Sequence, residues 1–90
     1  MQYKLHATLS GNVQGVSFRA FAKQAAEKLG LKGFARNTID GKVEIVAVGG
    51  KEKLEIFLSE VSNGPPMGKV EAVQAKIGKA LDEFQGFEIR

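Results

Sequence analysis

The sequence lacks cysteine and tryptophan, has one histidine and two prolines, and contains no long hydrophobic run. Without cysteine, disulfides, thiolate nucleophiles and cysteine-ligated metals are excluded. The single histidine, His6, is a poor basis for a histidine-rich zinc site or a Ser-His triad. No apolar run approaches the ~20 residues of a membrane span. With 43% hydrophobic and 26% charged residues, the composition is typical of a soluble globular protein.

The length of 90 residues predicts a single domain over residues 1–90, because chains divide into domains only at larger sizes. Residues 1–5 lack the basic segment and long apolar stretch of a signal peptide. We therefore expect a cytoplasmic protein without a membrane partner. A monomer is also expected, although no residue pattern argues for it.

The net charge of +3 is unevenly distributed. Residues 1–42 hold seven Lys and Arg against two acidic residues, whereas residues 43–90 hold six against eight. The basic excess in the first half makes a small anion or a nucleic acid a partner to consider, although a charge of this size also serves solubility.

Hydrophobic periodicity predicts strands where apolar residues alternate and helices where they recur every three or four positions. Ser17 is the expected N-cap of the first helix, Gly30 its stop, and Asp40-Gly41 a hairpin turn. The predicted elements are strands over about 3–10, 31–38, 42–49, 69–77 and 87–89, and helices over about 17–29 and 51–62.

The order strand, helix, strand, strand, helix, strand predicts an α+β fold, the ferredoxin-like βαββαβ sandwich. We expect a mixed, largely antiparallel sheet with two helices on one face and a short extra C-terminal strand. The first and second strands then run parallel on either side of the third. Their carboxyl ends meet at one edge, so the Gly11–Arg19 segment and Asn37 should be neighbours.

The loop before the first helix is suited to an anion. Gly11 and Gly15 allow backbone N–H groups to converge on the point at which the helix directs its free N–H groups and positive dipole end. Arg19 in the first turn opposes that dipole unless an anion lies between them, and its guanidinium can clamp two phosphate oxygens. The alternative is an ordinary turn with a solvated arginine. The loop has neither P-loop nor dinucleotide spacing.

These residues resemble the two signatures of the acylphosphatase family. The first motif is Gly11-x-Val13-Gln14-Gly15-Val16-x-Phe18-Arg19. The second runs from Gly33-Phe34-Ala35-Arg36-Asn37-Thr38 through Asp40-Gly41 to Val43-Glu44, and Gly64-Pro65-Pro66 also fits the family. Phe34 and Ala35 depart from the pattern, since the family often has Trp and Val there.

The resemblance implies a hydrolase that cleaves the carboxyl-phosphate anhydride of small acyl phosphates to a carboxylate and inorganic phosphate. Arg19 would bind the phosphoryl group, and Asn37 would hold the attacking water. The backbone N–H groups that assist Arg19 would be those of Gln14, Gly15, Val16, Ser17 and Phe18. The implied enzyme needs no metal or cofactor, and inorganic phosphate would be its product and an inhibitor.

Few residues suffice for this reaction because a carboxylate, whose conjugate acid has a pKa near ~4, leaves without a general acid. The loose transition state of phosphoryl transfer requires positioning and charge stabilisation. A neutral amide such as Asn37 can orient water without repelling the phosphate. The alternative for Asn37 is a residue that tolerates a turn conformation near the hairpin. His6 is expected to be exposed on the polar face of the first strand.

Two other functions are open at this point. The fold also hosts RNA-binding domains, and Lys32-Gly33-Phe34-Ala35 copies the start of their signature, but Arg36 stands where a second stacking aromatic is needed. We therefore expect no nucleic-acid partner. The other alternative is a non-catalytic sensor of phosphate or acyl phosphate, or a domain of a larger carbamoyl-transferring protein.

Overall fold

A computed structural model describes residues 2–90, within which the chain forms five strands and two helices. The elements are β1 (Tyr3–Asn12), α1 (Phe18–Lys28), β2 (Lys32–Asn37), β3 (Val43–Gly49), α2 (Lys51–Asn63), β4 (Lys69–Lys79) and β5 (Phe87–Ile89). Each lies within a few residues of the corresponding prediction. In the described part of the chain, neither helix has the length and hydrophobicity to cross a membrane.

The strands form one mixed sheet in the order β4-β1-β3-β2-β5. Strand β3 is antiparallel to both β1 and β2, so β1 and β2 run parallel to each other, and β5 is parallel to β2. This topology confirms the predicted ferredoxin-like fold. It also brings the carboxyl ends of β1 and β2 to the same edge of the sheet.

The hydrophobic core lies between one face of the sheet and the two helices. The alternating residues Leu5, Ala7 and Leu9 of β1 are fully buried, as their period predicts. Both helices bury one apolar stripe, and the rings of Phe57 on α2 and Phe87 on β5 meet edge to face with centroids 6.0 Å apart. At ~1.5–3 kcal/mol for each large side chain buried, this face supplies most of the stabilisation of the fold.

The opposite face of the sheet is partly covered by the connection between β4 and β5. These strands occupy the two edges of the sheet, so residues 80–86 must cross it. Phe84 in this connection packs on Phe34 of β2, with ring centroids 6.0 Å apart, and Asp82 pairs with Lys4 at 2.7 Å. The cover explains why Val46 and Val48 are buried although they point away from the helices.

One local prediction needs correction. Strand β1, expected to end at about Ser10, continues to Asn12, with a register shift at Ser10/Gly11 in its pairing with β4. Gly11 has φ +123°, and a Cβ there would lie 2.3 Å from the Lys69 carbonyl oxygen, so close backbone approach requires the glycine.

Candidate active site

A cleft of about 380 Å³ opens at the shared edge formed by the carboxyl ends of β1 and β2. The loop after β1, the first turn of α1 and the end of β2 all contribute to it. It is lined by Val13, Gly15, Ser17, Phe18, Arg19, Ala20, Asn37 and Ile89. The topology therefore brings the glycine loop, Arg19 and Asn37 together, although they are separated along the chain.

The loop Gln14–Phe18 lies beside this cleft, which Gly15, Ser17 and Phe18 line. Gly15 has φ +77° and Ser17 has φ +60°, while Val16 between them does not have a positive φ. An alternation of this kind is found in anion-binding loops, where successive N–H groups turn to the same side. Within residues 2–90, the N–H groups of Gln14–Phe18 donate to no protein acceptor. These donors are free to bind an anion.

Ser17 occupies the predicted N-cap position but does not cap the helix in the expected way. Its side chain makes no capping hydrogen bond, and its backbone is left-handed, the one described non-glycine residue between 2 and 90 with a positive φ. A left-handed L-residue is disfavoured by roughly 1–2 kcal/mol. Strain of this kind is typical of functional sites, where it holds backbone groups in a set direction.

Arg19 lies in the first turn of α1, and its side chain is half-buried at the edge of the cleft. The first turn, Phe18–Phe21, has no acidic residue to offset the positive end of the helix. Nη1 of Arg19 donates to the main-chain oxygen of Arg90 over 2.7 Å. This bond fixes one arm of the guanidinium and leaves its other N–H donors available.

Asn37 is the last residue of β2 and pairs with Val43 of β3. Its side-chain Oδ1 is buried, and no donor within residues 2–90 bonds to it. A buried acceptor without a partner costs about 1–3 kcal/mol, and native proteins contain few of them. Asn37 also lines the cleft, so its unpartnered amide lies at the edge of the site.

The remaining predicted loop residues have other surroundings. Val16 is half-buried and packs against the core. Gln14 does not line the cleft with its side chain, which reaches the turn between β2 and β3, where Nε2 donates to the carbonyl oxygens of Thr38 and Lys42, each at 2.9 Å. The sequence did not predict this contact, the Arg90 contact or the position of Ile89. Only the parallel pairing of β5 with β2 could have indicated the last two.

The cleft wall contains a cation but no carboxylate. Asp40, three residues after Asn37, is exposed in the hairpin, where the hydrogen bond from Thr38 holds its pKa below the usual value. His6 is exposed, as predicted, and lies on the outer face of the sheet with its Nε2 2.6 Å from Glu44 Oε2. Within residues 2–90, no group of three His, Cys, Asp or Glu residues is arranged to hold a metal ion.

Comparison with known proteins places these residues in a family. The sequence profile described as Acylphosphatase matches residues 5–89. An acylphosphatase of Thermus thermophilus is 46% identical over 86 residues, 96% of this chain and 97% of that protein. One of Archaeoglobus fulgidus is 44% identical over 94% of each chain. The crystal structure of acylphosphatase from Bacillus subtilis superposes with a TM-score of 0.94 at 35% identity and 98% coverage of both chains.

Proposed function

The chain belongs to the acylphosphatase family, and this membership supports hydrolysis of acyl phosphates as its activity. We propose that its residues perform the reaction as follows. The backbone N–H groups of Gln14–Phe18 and the guanidinium of Arg19 hold the phosphoryl group. Asn37 orients a water molecule that attacks phosphorus directly and displaces the carboxylate. The products are a carboxylate and inorganic phosphate.

The proposed phosphoryl site is supported by the charge of Arg19 and by the unpaired loop donors. Gly15, Ser17 and Phe18 line the same cleft as Arg19, and in the described part of the chain no protein acceptor bonds to their N–H groups. A phosphoryl dianion bound there offsets the unfavourable position of Arg19 at the positive end of a helix. Since one arm of Arg19 is bonded to Arg90, the free donors of its fork can approach two phosphoryl oxygens with little loss of rotamer freedom.

The unpartnered Oδ1 of Asn37 is the observation that carries the mechanism. When the amide turns toward the cleft, a water molecule there can donate to this oxygen, a hydrogen bond that no described protein group makes, and the water then lies beside the phosphoryl site. The amide adds no charge, so it does not repel the dianion. A water molecule already held in place loses less entropy on reaching phosphorus in the transition state, and this entropy loss is a large part of the activation barrier.

The proposed reaction needs no general acid, because the carboxylate leaving group is stable as an anion near neutral pH. Its transition state is loose, so the fixed donors of the loop and Arg19 stabilise developing charge on the phosphoryl oxygens. The donors at the cleft are amide and guanidinium groups, which suit phosphate and not a metal ion. We propose that the enzyme is metal-independent.

We further propose that residues 1–90 act as one acylphosphatase-like domain and that inorganic phosphate competes with the substrate for the loop. An RNA-binding function has less support, because Phe34 is packed by Phe84 and lies 4.1 Å beneath the Arg90 guanidinium. A stacking platform on this face requires an open aromatic ring.

The test is release of phosphate from a panel of acyl phosphates, including acetyl and carbamoyl phosphate, by the purified protein with and without EDTA. We expect turnover that EDTA leaves unchanged and that added phosphate inhibits competitively. Phosphate binding without turnover of any panel member would indicate the sensor instead. Activity that EDTA abolishes and Mg²⁺ restores would overturn the metal-independent mechanism.

A further inference from the structure

The side chain of Gln14 joins two segments that the reaction uses for different purposes. Gln14 belongs to the phosphate loop, but its half-buried amide points to the turn that follows Asn37. Both hydrogens of Nε2 are used, one on the Thr38 carbonyl and one on the Lys42 carbonyl, at 2.9 Å each. One amide therefore binds both ends of the turn at once.

The turn between β2 and β3 has hydrogen bonds of its own, to which the Gln14 side chain adds two. The Thr38 N–H donates to the Lys42 carbonyl at 2.8 Å, and the Lys42 N–H donates to Thr38 Oγ1 at 3.0 Å. Thr38 directly follows Asn37, so the path of the backbone at Thr38 sets the direction of the Asn37 side chain. Since Oδ1 of Asn37 has no protein partner within residues 2–90, no side-chain bond to that oxygen corrects its position if the turn shifts.

We infer that Gln14 is a positioning residue that fixes the distance between the bound phosphoryl group and the water held by Asn37. This inference rests on the proposed function, because it requires that the loop binds the phosphoryl group and that Asn37 holds the attacking water. The loop N–H groups bind phosphate through the backbone, whereas the Gln14 side chain ties that backbone to the Asn37 turn. Its loss therefore lowers the rate of the chemical step more than it lowers phosphate affinity.

The residue type agrees with this role. Two carbonyl oxygens must be bonded at once, so the side chain needs two N–H donors on one group. The NH₂ of glutamine has two such donors, and its side chain is long enough to reach the turn. Glutamate has the same shape but offers only acceptors when ionised, so it would repel both carbonyls. Methionine keeps the length and apolar stem but cannot donate, so the two carbonyls of half-buried Thr38 and Lys42 each lose one hydrogen bond.

The first experiment compares Gln14→Met and Gln14→Glu with Gln24→Met, a control at an exposed position of α1. We expect kcat to fall at least 10-fold for Gln14→Met and further for Gln14→Glu, with competitive inhibition by inorganic phosphate changed less than about 3-fold. Gln24→Met should retain both values. Equal losses in kcat and in phosphate inhibition would show that Gln14 shapes the phosphate loop itself, and the inference would fail.

A double-mutant cycle with Asn37→Ala separates this role from a general structural one. If Gln14 acts through Asn37, Gln14→Met should lower kcat less than 2-fold in the Asn37→Ala background. An undiminished loss there would overturn the inference. If Asn37→Ala alone leaves kcat unchanged, the proposed function fails instead, so the two failures are distinguishable.

Hydrogen exchange gives a measurement that does not depend on activity. In Gln14→Met, exchange of the Thr38 amide should accelerate at least 10-fold while β3 core amides such as Ala47 keep their rates. Unchanged protection at Thr38 would show that Gln14 does not hold the turn. If Gln14→Met is too unstable to assay, Gln14→Asn takes its place, because asparagine keeps the amide but is too short to reach both carbonyls. The expected and contradicting results are then the same as for Gln14→Met.

Discussion

The cleft and the outer face of the sheet differ in how completely their polar groups are satisfied. On the outer face, Glu44 of β3 accepts from His6 Nε2 at 2.6 Å and also from Arg36, so three ionisable side chains from three adjacent strands form one cluster. At the cleft, the N–H groups of Gln14–Phe18 and Oδ1 of Asn37 have no protein partners within residues 2–90. Strands β1 and β2 position the Glu44 cluster on the outer face and also the polar groups of the cleft.

The difference indicates what each region contributes. Satisfied surface charges add modestly to stability, at ~0.2–1 kcal/mol for an exposed pair. Unsatisfied donors and acceptors lower stability, and a fold retains them where a ligand completes the hydrogen bonds. Substitutions at the cleft should therefore change kinetics more than stability, and substitutions in the Glu44 cluster should do the reverse. The following predictions test this contrast, beginning with the largest effect.

Arg19→Ala should lower kcat/KM by about 10³-fold, because two charge-assisted hydrogen bonds of ~1.5–3 kcal/mol each are lost. Inhibition by inorganic phosphate should weaken in parallel. Arg19→Lys should not restore either value, because an ammonium cannot form the bidentate fork. The control is Arg36→Ala on the outer face, which should keep kcat/KM within about 2-fold. An Arg19→Ala enzyme with unchanged phosphate inhibition would contradict the assignment.

Asn37→Ala should lower kcat by about 10²-fold, corresponding to ~3 kcal/mol of lost positioning, and leave phosphate inhibition nearly intact. Asn37→Asp should lower both turnover and phosphate affinity near pH 7, since its carboxylate lies beside the bound dianion. Asn63→Ala, at the exposed end of α2, is the matched control with no expected effect. Wild-type turnover by Asn37→Asp at pH 7 would mean that the site uses a general base.

Gly15→Ala should raise KM by roughly 5–10-fold while the fold survives. The Cβ would meet no atom within 4 Å, so the cost comes from the φ of +77°, roughly 1–2 kcal/mol of backbone strain that shifts the loop donors. Gly30→Ala at the end of α1 has a similar φ of +71° and equally open surroundings. It should lose comparable stability in urea unfolding but keep its KM. Equal KM values for the two variants would show that the loop glycine is incidental.

Glu44→Gln should have the smallest effect, a loss of ~0.2–1 kcal/mol in the free energy of unfolding at pH 7 with activity retained. The hydrogen bond from His6, and then that from Arg36, lowers the pKa of Glu44 in the folded state. Its contribution is therefore present at pH values above the unfolded pKa of ~4.3 and is lost as pH falls through the folded pKa. Urea unfolding at pH 7 and pH 3 should show a smaller difference for Glu44→Gln than for the wild type.

Local patterns in the sequence were sufficient to predict the fold. Alternation at Leu5, Ala7 and Leu9 and helical spacing at Leu54 and Phe57 are set by the residues themselves, and topology rules then limited the arrangement of strands. The continuation of β1 through Gly11 could not be predicted, because a glycine before a helix has the same local signal whether it ends a strand or permits a bulge. Only the partner, β4, decides between them.

The candidate site was predictable where its residues are local in sequence or follow a motif. The loop glycines, Arg19 and Asn37 lie in such stretches, and the parallel strands place them together. The Gln14 contact with the Thr38 and Lys42 carbonyls was not predictable, since a carbonyl acceptor has no residue type to identify it. The left-handed Ser17 was missed for a related reason, because its conformation follows from the path of the loop.

The contact between Arg19 and the Arg90 main-chain oxygen has a kinetic consequence. The two residues are 71 positions apart, and β5 must dock beside β2 before the contact can form. Closing so long a loop costs more conformational entropy than forming a local contact, so the Arg19 contact requires most of the chain to be folded. A helix of 11 residues is marginally stable without tertiary packing, so α1 and this contact should form in one cooperative transition. Recovery of turnover during refolding should therefore coincide with recovery of the helical signal.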